Sequence, residues 1–204
     1  MPRVSAAHKE QRRASILDGA MSLFIGRGFG LSTMDQIAAS ADFSVGALYR
    51  YFRTKEEILL ALVDERLGRA PELFERLSRE GGDPWERLAR SVDLFVTALG
   101  VRHPGTGRLL LLAFAEAIHN ESVRDGLHRR FGGLLRYLTA ILDEGKAAGL
   151  FHPDLDAEAL AASLLSLADG IAIYWVMKTP GVDLRRLKQV QLAWLKSYVM
   201  KEDL

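Results

Sequence analysis

No cysteine occurs in the 204 residues. Disulfide staples and thiolate metal sites are thereby excluded, and the chain suits a reducing cytoplasm, the expected location. Long apolar runs are also missing. The longest, such as Leu109–Ala115, are far too short for the roughly 20 residues that cross a bilayer as a helix. The first thirteen residues have no apolar core of signal-peptide type. Nor is there a Gly-x-Ser-x-Gly elbow, a Gly-x-x-x-x-Gly-Lys phosphate loop or a dinucleotide fingerprint behind a strand. No histidine has a partner at HxxxH or HExxH spacing. The expectation is therefore no enzyme, no cofactor, no metal and no membrane partner.

What remains is a chain able to build a core, since 49% of its residues are hydrophobic. The net charge of +1 hides an asymmetry. Residues 1–55 hold 8 Lys/Arg against 4 Asp/Glu, whereas residues 56–204 hold 19 against 22. A basic head on a mildly acidic body points to a polyanion met by the head alone.

Every strong periodicity is helical. Ile16, Ala20, Leu23 and Phe24 recur at helical steps until Gly26 and Gly28. Thr33 is placed to cap a second helix through a backbone N–H near Gln36, with Ile37, Ala38 and Ala41 facing inward. Asp42-Phe43-Ser44 makes a turn, and Ser44 caps a third helix over Val45–Phe52. Thr54 caps a fourth, with Glu56 and Glu57 in its first turn, running to a break near Gly68–Pro71. Longer helices follow. Asp83-Pro84 opens one to about Leu99, then come Arg108–His119, Ser122 to about Ala148, Asp156–Met177 and Asp183–Met200. The fold class expected is all-α.

Short helix, tight turn, then a helix carrying tyrosines and an arginine is the layout of a helix-turn-helix that lays its second helix in a DNA groove. Leu48 and Phe52, four apart, point into the head's core with Ile37 and Ala38. Tyr49, Tyr51 and Lys55 lie on other faces, where hydroxyls and an ammonium reach phosphates. Thr33 joins them, because free N–H groups at a helix start favour anions. Ser44, the cap, is also a candidate DNA contact, and Val45, Gly46, Ala47 and Arg50 are left to face base edges. Small residues let the backbone approach and Arg50 is the obvious bidentate guanine reader. Lys9, Arg12 and Arg13 read equally well as contacts to flanking phosphate or as a solvated basic arm.

The run Phe24-xxx-Gly28-Phe29, Thr33-Met34-xx-Ile37-Ala38-xx-Ala41 and Ser44-x-Gly46-x-Leu48-Tyr49-x-Tyr51-Phe52-xx-Lys55-Glu56 resembles the TetR family of bacterial transcriptional repressors. The match covers roughly residues 10–60, and beyond it rests on the length and order of helices. Asp42 stands where the family commonly has a turn glycine. Aspartate tolerates the left-handed conformation better than most residues, so the turn is expected to survive.

The resemblance implies an N-terminal three-helix DNA-binding domain, residues 1–55, with helix 55–70 as connector. It implies a helical ligand-binding and dimerisation domain over 71–204. Phe95, Phe114, His119, Phe131, Tyr137 and Trp175 are candidate pocket walls and handles by the same resemblance, each reading otherwise as plain core. The last two helices carry apolar stripes that resemble the family's dimer interface. It would be formed by Leu164, Leu167, Ile171 and Trp175 on one helix and Leu187, Gln191, Trp194 and Tyr198 on the other. The implied function is a homodimeric repressor on a palindromic operator in double-stranded DNA, released by a small-molecule inducer, and the apolar, aromatic lining suggests a hydrophobic one. A second reading is a helical ligand-binding or interaction module that no longer binds DNA, for which Asp42 is the sequence support.

Overall fold

The computed structural model describes residues 6–67, 81–100, 105–181 and 183–201, without the side chains of Ala6, Leu67 and residues 95–100. The expected break near Gly68–Pro71, the domain boundary after residue 70 and the Phe95 side chain lie outside what is described. Among the described residues the chain forms α1 (Ala6–Arg27), α2 (Met34–Ser40), α3 (Val45–Leu48), α4 (Lys55–Leu67), α5 (Pro84–Gly100), α6 (Thr106–His119), α7 (Glu121–Ala147), α8 (Ala157–Met177) and α9 (Leu184–Val199). The all-α expectation holds. The nearest approach to a sheet among these residues is one antiparallel bridge, Phe151 to Met200.

The helices pack as two compact units. One comprises Met1–Arg66 with Arg108–Leu127, and the other Leu67–Gly107 with His128–Leu204. In the first, the buried face of α1 is Ile16, Leu17, Ala20, Met21 and Phe24, while Leu23 is half-exposed. Phe24 packs at a tilt on Phe29, with ring centroids 5.1 Å apart. A Cβ on Gly19 would meet the Ala41 nitrogen and the Ser40 carbonyl carbon at 3.2 Å, so glycine lets α1 cross the end of α2 closely. Asn120 joins two helices of this unit: its Oδ1 accepts from the Val123 N–H at 3.2 Å, capping α7, and its Nδ2 donates to Glu56 at 3.2 Å.

The second unit is built around Leu88 and Val92 of α5, Leu134, Tyr137, Leu138, Ile141 and Leu142 of α7, Leu160, Ala161 and Leu164 of α8, and Leu195 and Val199 of α9. Phe151 is fully buried in this core. A side chain on Gly145 would overlap the Phe151 ring at 2.1 Å, so glycine in α7 makes room for it. Backbone bonds from His152 to Val199 (2.9 Å) and from Lys201 to Leu150 (3.1 Å) tie the α7–α8 loop to the end of α9. Ion pairs Arg87–Glu144 and Lys188–Asp93 fasten α5 to α7 and to α9.

Helix α8 is long and apolar enough by length and composition to cross a membrane. Glu158, Ser163, Ser166 and Asp169 interrupt its apolar sequence, so it holds no long uninterrupted run. Its inner face belongs to a folded core, with Ala157, Leu160, Ala161, Leu164, Ile171 and Ala172 buried.

Candidate nucleic-acid interface

Local hydrogen bonds set out the head. The Thr33 hydroxyl accepts the Gln36 N–H at 3.3 Å, and the Gln36 amide oxygen accepts the Thr33 N–H at 3.2 Å, a reciprocal capping box at the start of α2. The turn then passes through Asp42 at φ 58, the left-handed conformation that its short polar side chain tolerates. Ser44 caps α3 by accepting the Ala47 N–H at 3.3 Å, and Thr54 accepts the Glu57 N–H at 3.2 Å to start α4.

Helix α3 is shorter than the expected Val45–Phe52. It closes at Leu48, and residues 49–51 form a turn with Arg50 N–H bonded to Ala47 O and Tyr51 N–H to Leu48 O. These i to i+3 bonds mark a tightening of the last turn. Gly46 and the aromatic residues that follow are weak helix formers, which leaves a single regular turn. Leu48 and Phe52 are buried as expected. They act as anchors, each contributing about 1.5–3 kcal/mol by leaving water.

On the outer side Val45, Gly46, Tyr49 and Arg50 are exposed and Ala47 is half-buried. Tyr51 is half-buried, its ring meeting Phe43 edge-on at 6.1 Å and 85°. Thr33 and Ser44 are exposed, and their hydroxyls serve as caps. Lys55 sits differently from its expected outward position. Its ammonium donates to the carbonyls of Phe29 (3.0 Å) and Ser32 (3.3 Å) and lies 4.4 Å above the Phe29 ring. Two of its three donors therefore hold the α1–α2 loop.

The basic residues of α1 divide. Arg13 turns inward to the head, pairing with Glu10 (3.6 Å) and Glu65 (3.8 Å) and lying 5.5 Å from the Phe52 ring centroid. Arg12 lies 4.4 Å over the Phe43 ring. His8, Lys9 and Arg12 of α1 then face Ala47, Arg50 and Tyr51 across an open concavity of about 320 Å³.

In the second unit, Leu164 and Ile171 are buried within the chain, unlike the outward position expected of them. The reason is that α8 is apolar on more than one side, so its periodicity does not select the outer face. Leu187 and Gln191 are half-buried. Leu167 (41% exposed), Trp175 (46%), Trp194 (46%) and Tyr198 (51%) reach solvent. Trp194 stacks on Tyr198 at 5.7 Å, and a narrow apolar groove beside it is lined by Val92, Leu164, Leu167, Gln191, Trp194 and Leu195, among others. Asp169 on α8 is half-buried, and burial pushes its carboxyl up from 3.8 to about 6.

Residues 16–62 match the bacterial regulatory proteins of the tetR family, and residues 84–200 match the C-terminal domain of BetI-type transcriptional repressors. The second match alone spans more than half of the chain. The chain belongs to the TetR family of transcriptional regulators. Among relatives of this regulator, the fatty acid metabolism regulator protein of Bacillus subtilis is 27% identical over 93% of this chain and 96% of its own. The structure of the regulator FadR from Bacillus subtilis in complex with stearoyl-CoA is 26% identical, with a TM-score of 0.72 over 90% of this chain and 97% of that one. A regulator from Saccharomonospora viridis in complex with choline shares the fold at 23% identity, with a TM-score of 0.76 over 95% of this chain and all of that one. Members of the family regulate transcription by binding DNA and are not enzymes.

The expected pocket residues of this TetR-family chain divide between the two units. Phe114 and His119 belong to the first compact unit, where His119 is exposed at the end of α6. Phe131, Tyr137 and Trp175 belong to the second. Tyr137 is part of its core, Phe131 packs against that core, and Trp175 is exposed. No group of three or more His, Asp or Glu able to hold a metal occurs among the described residues.

Phe43 and Asn120 are the residues that sequence reasoning passed over. An apolar residue directly before the Ser44 cap was the available signal for Phe43. Nothing in the sequence pairs Asn120 with Glu56, which lies 64 residues away.

Proposed function

We propose that this TetR-family regulator is a homodimeric repressor that holds a palindromic operator and leaves it when a small molecule binds its C-terminal domain. The observation that carries the reading is the outward row of Leu167, Trp175, Trp194 and Tyr198 on α8 and α9. A monomer would leave these large apolar groups wet, and a twofold contact between copies removes them from water. A twofold dimer then presents two α3 helices about one DNA turn (~34 Å) or slightly more apart, which matches a palindrome. On this reading Thr33, Tyr49 and Tyr51 grip phosphates, and Val45, Gly46, Ala47 and Arg50 face base edges. The regulator acts in the cytoplasm, where its DNA is.

The inducer is read as predominantly apolar. A coupling of about 1–3 kcal/mol between ligand and DNA suffices to change operator occupancy several-fold. Gel shift of the full chain on its own upstream region, with light scattering for mass, tests the whole. Salt-sensitive binding to a palindrome by a dimer, weakened by an acyl thioester, is the expected result. A monomer at micromolar concentration, or no preference for any palindrome over random duplex, overturns it.

A further inference from the structure

The concavity between α1 and the segment after α3 gathers three cationic side chains, Lys9, Arg12 and Arg50, with His8, Ala47 and Tyr51 completing the lining. No carboxylate is among these lining residues. Neither Lys9 nor Arg50 forms an ion pair among the described residues, whereas the neighbouring Arg13 is neutralised by Glu10 and Glu65. Like charges gathered without a counter-charge repel one another, so the arrangement is relieved by an anion.

The floor is fixed before any ligand arrives. The Phe43 ring takes the Arg12 guanidinium on its face at 4.4 Å and the Tyr51 ring against it edge-on at 6.1 Å. Phe43 is itself tied to α2 through its N–H to Ala38 O at 2.8 Å. Arg12 and Tyr51 are half-buried, while Lys9 and Arg50 are exposed at the rim. A pre-set guanidinium and phenol below and two freer cations above suit one phosphodiester, with charge-assisted bonds converging from two separate elements.

We propose that this concavity seats one backbone phosphate of double-stranded DNA, and that Arg50 grips this phosphate rather than reading a base. The inference rests on the DNA-binding reading and divides its residues differently. Base readout falls to Val45, Gly46 and Ala47, and α1 becomes part of the interface through Lys9 and Arg12. A phosphate contact positions the protein and carries no sequence information.

The test compares the full chain with Arg50→Ala and Lys9→Ala, both exposed sites whose truncation leaves the core untouched. Affinity is measured against salt on the operator, on its single-base variants and on random duplex. Each substitution is expected to weaken binding several-fold on every duplex alike and to make the log–log salt slope shallower, by no more than the roughly 0.9 that one phosphate contributes. A neutral methylphosphonate walked along the operator should find one position where wild-type binding falls and Arg50→Ala loses clearly less. The inference is overturned if Arg50→Ala keeps the salt slope and changes base preference at one operator position, or if no methylphosphonate position couples to it. Wild-type protein that binds random duplex but no palindrome sinks the operator reading alone, because the salt slopes on random duplex still report the seat. Wild-type protein that binds no duplex sinks both.

Discussion

The Lys55 ammonium donates to the Phe29 carbonyl at 3.0 Å and lies 4.4 Å above the ring of the same residue. With the Ser32 carbonyl as second acceptor, the first side chain of α4 closes the loop between α1 and α2. That loop ends at Thr33, the residue that caps α2. Replacing Lys55 with methionine keeps the stem over Phe29 and removes the charge. Charged hydrogen bonds and a cation over an aromatic face together suggest a stability loss of about 1.5–3 kcal/mol. Thermal unfolding reads this without DNA. A chain of unchanged stability whose salt slope on DNA becomes shallower would make Lys55 a phosphate contact instead.

Asp42 holds φ 58 in the turn before α3, where a residue with a Cβ is under strain. Asp42→Gly is expected to raise the stability of the head by up to about 1 kcal/mol, because glycine adopts this conformation freely. Asp42→Val is expected to lower it by about 1–2 kcal/mol, since a β-branched residue is poorly suited there. Denaturant midpoints of the two variants check the ordering. Equal midpoints would mean that the turn relaxes to another conformation.

The parts of the head that were readable in the sequence are those decided within four residues. Thr33, Ser44 and Thr54 each cap the helix they precede, because a cap needs only its own hydroxyl and an N–H three positions on. Leu48 and Phe52 were legible for the same reason, their spacing placing both on one side. Lys55 and Arg13 were not, since their partners are set by tertiary approach. Phe29 lies 26 residues before Lys55, and Glu65 lies 52 after Arg13. Helix α8 failed differently: it is apolar on most sides, so the period that marks a stripe cannot say which part of it faces the core.

Trp194 stacks on Tyr198 at 5.7 Å, and each is about half exposed on α9. If a second copy covers them, Trp194→Ala is expected to weaken the dimer by about 2 kcal/mol or more, as buried tryptophan anchors do. Trp194→Glu, which places a charge in the contact, should give a monomer at micromolar concentration by light scattering. The helix content of the monomer should be unchanged, because the side chain is outside the subunit's core. A Trp194→Glu chain that remains dimeric would move the interface elsewhere.

Asp169 carries a pH dependence of defined sign. Its carboxyl is raised from 3.8 to about 6 by burial. Below 3.8 the group is protonated in the folded and unfolded chain alike, and no cost arises. Above about 6 it is ionised in both, and only the folded chain holds that charge out of water. Stability is therefore lost as pH rises between these values. The carboxyl retains contact with solvent, which screens the charge, so the cost is reduced from the full shift to about 1 kcal/mol. Asp169→Asn removes the ionisation and keeps the shape. The variant should melt higher than wild type at pH 7.5 and at the same temperature as wild type near pH 4. A gain of equal size at both values would assign the effect to packing, and a loss at pH 7.5 would show that the ionised carboxylate has a partner worth more than its desolvation.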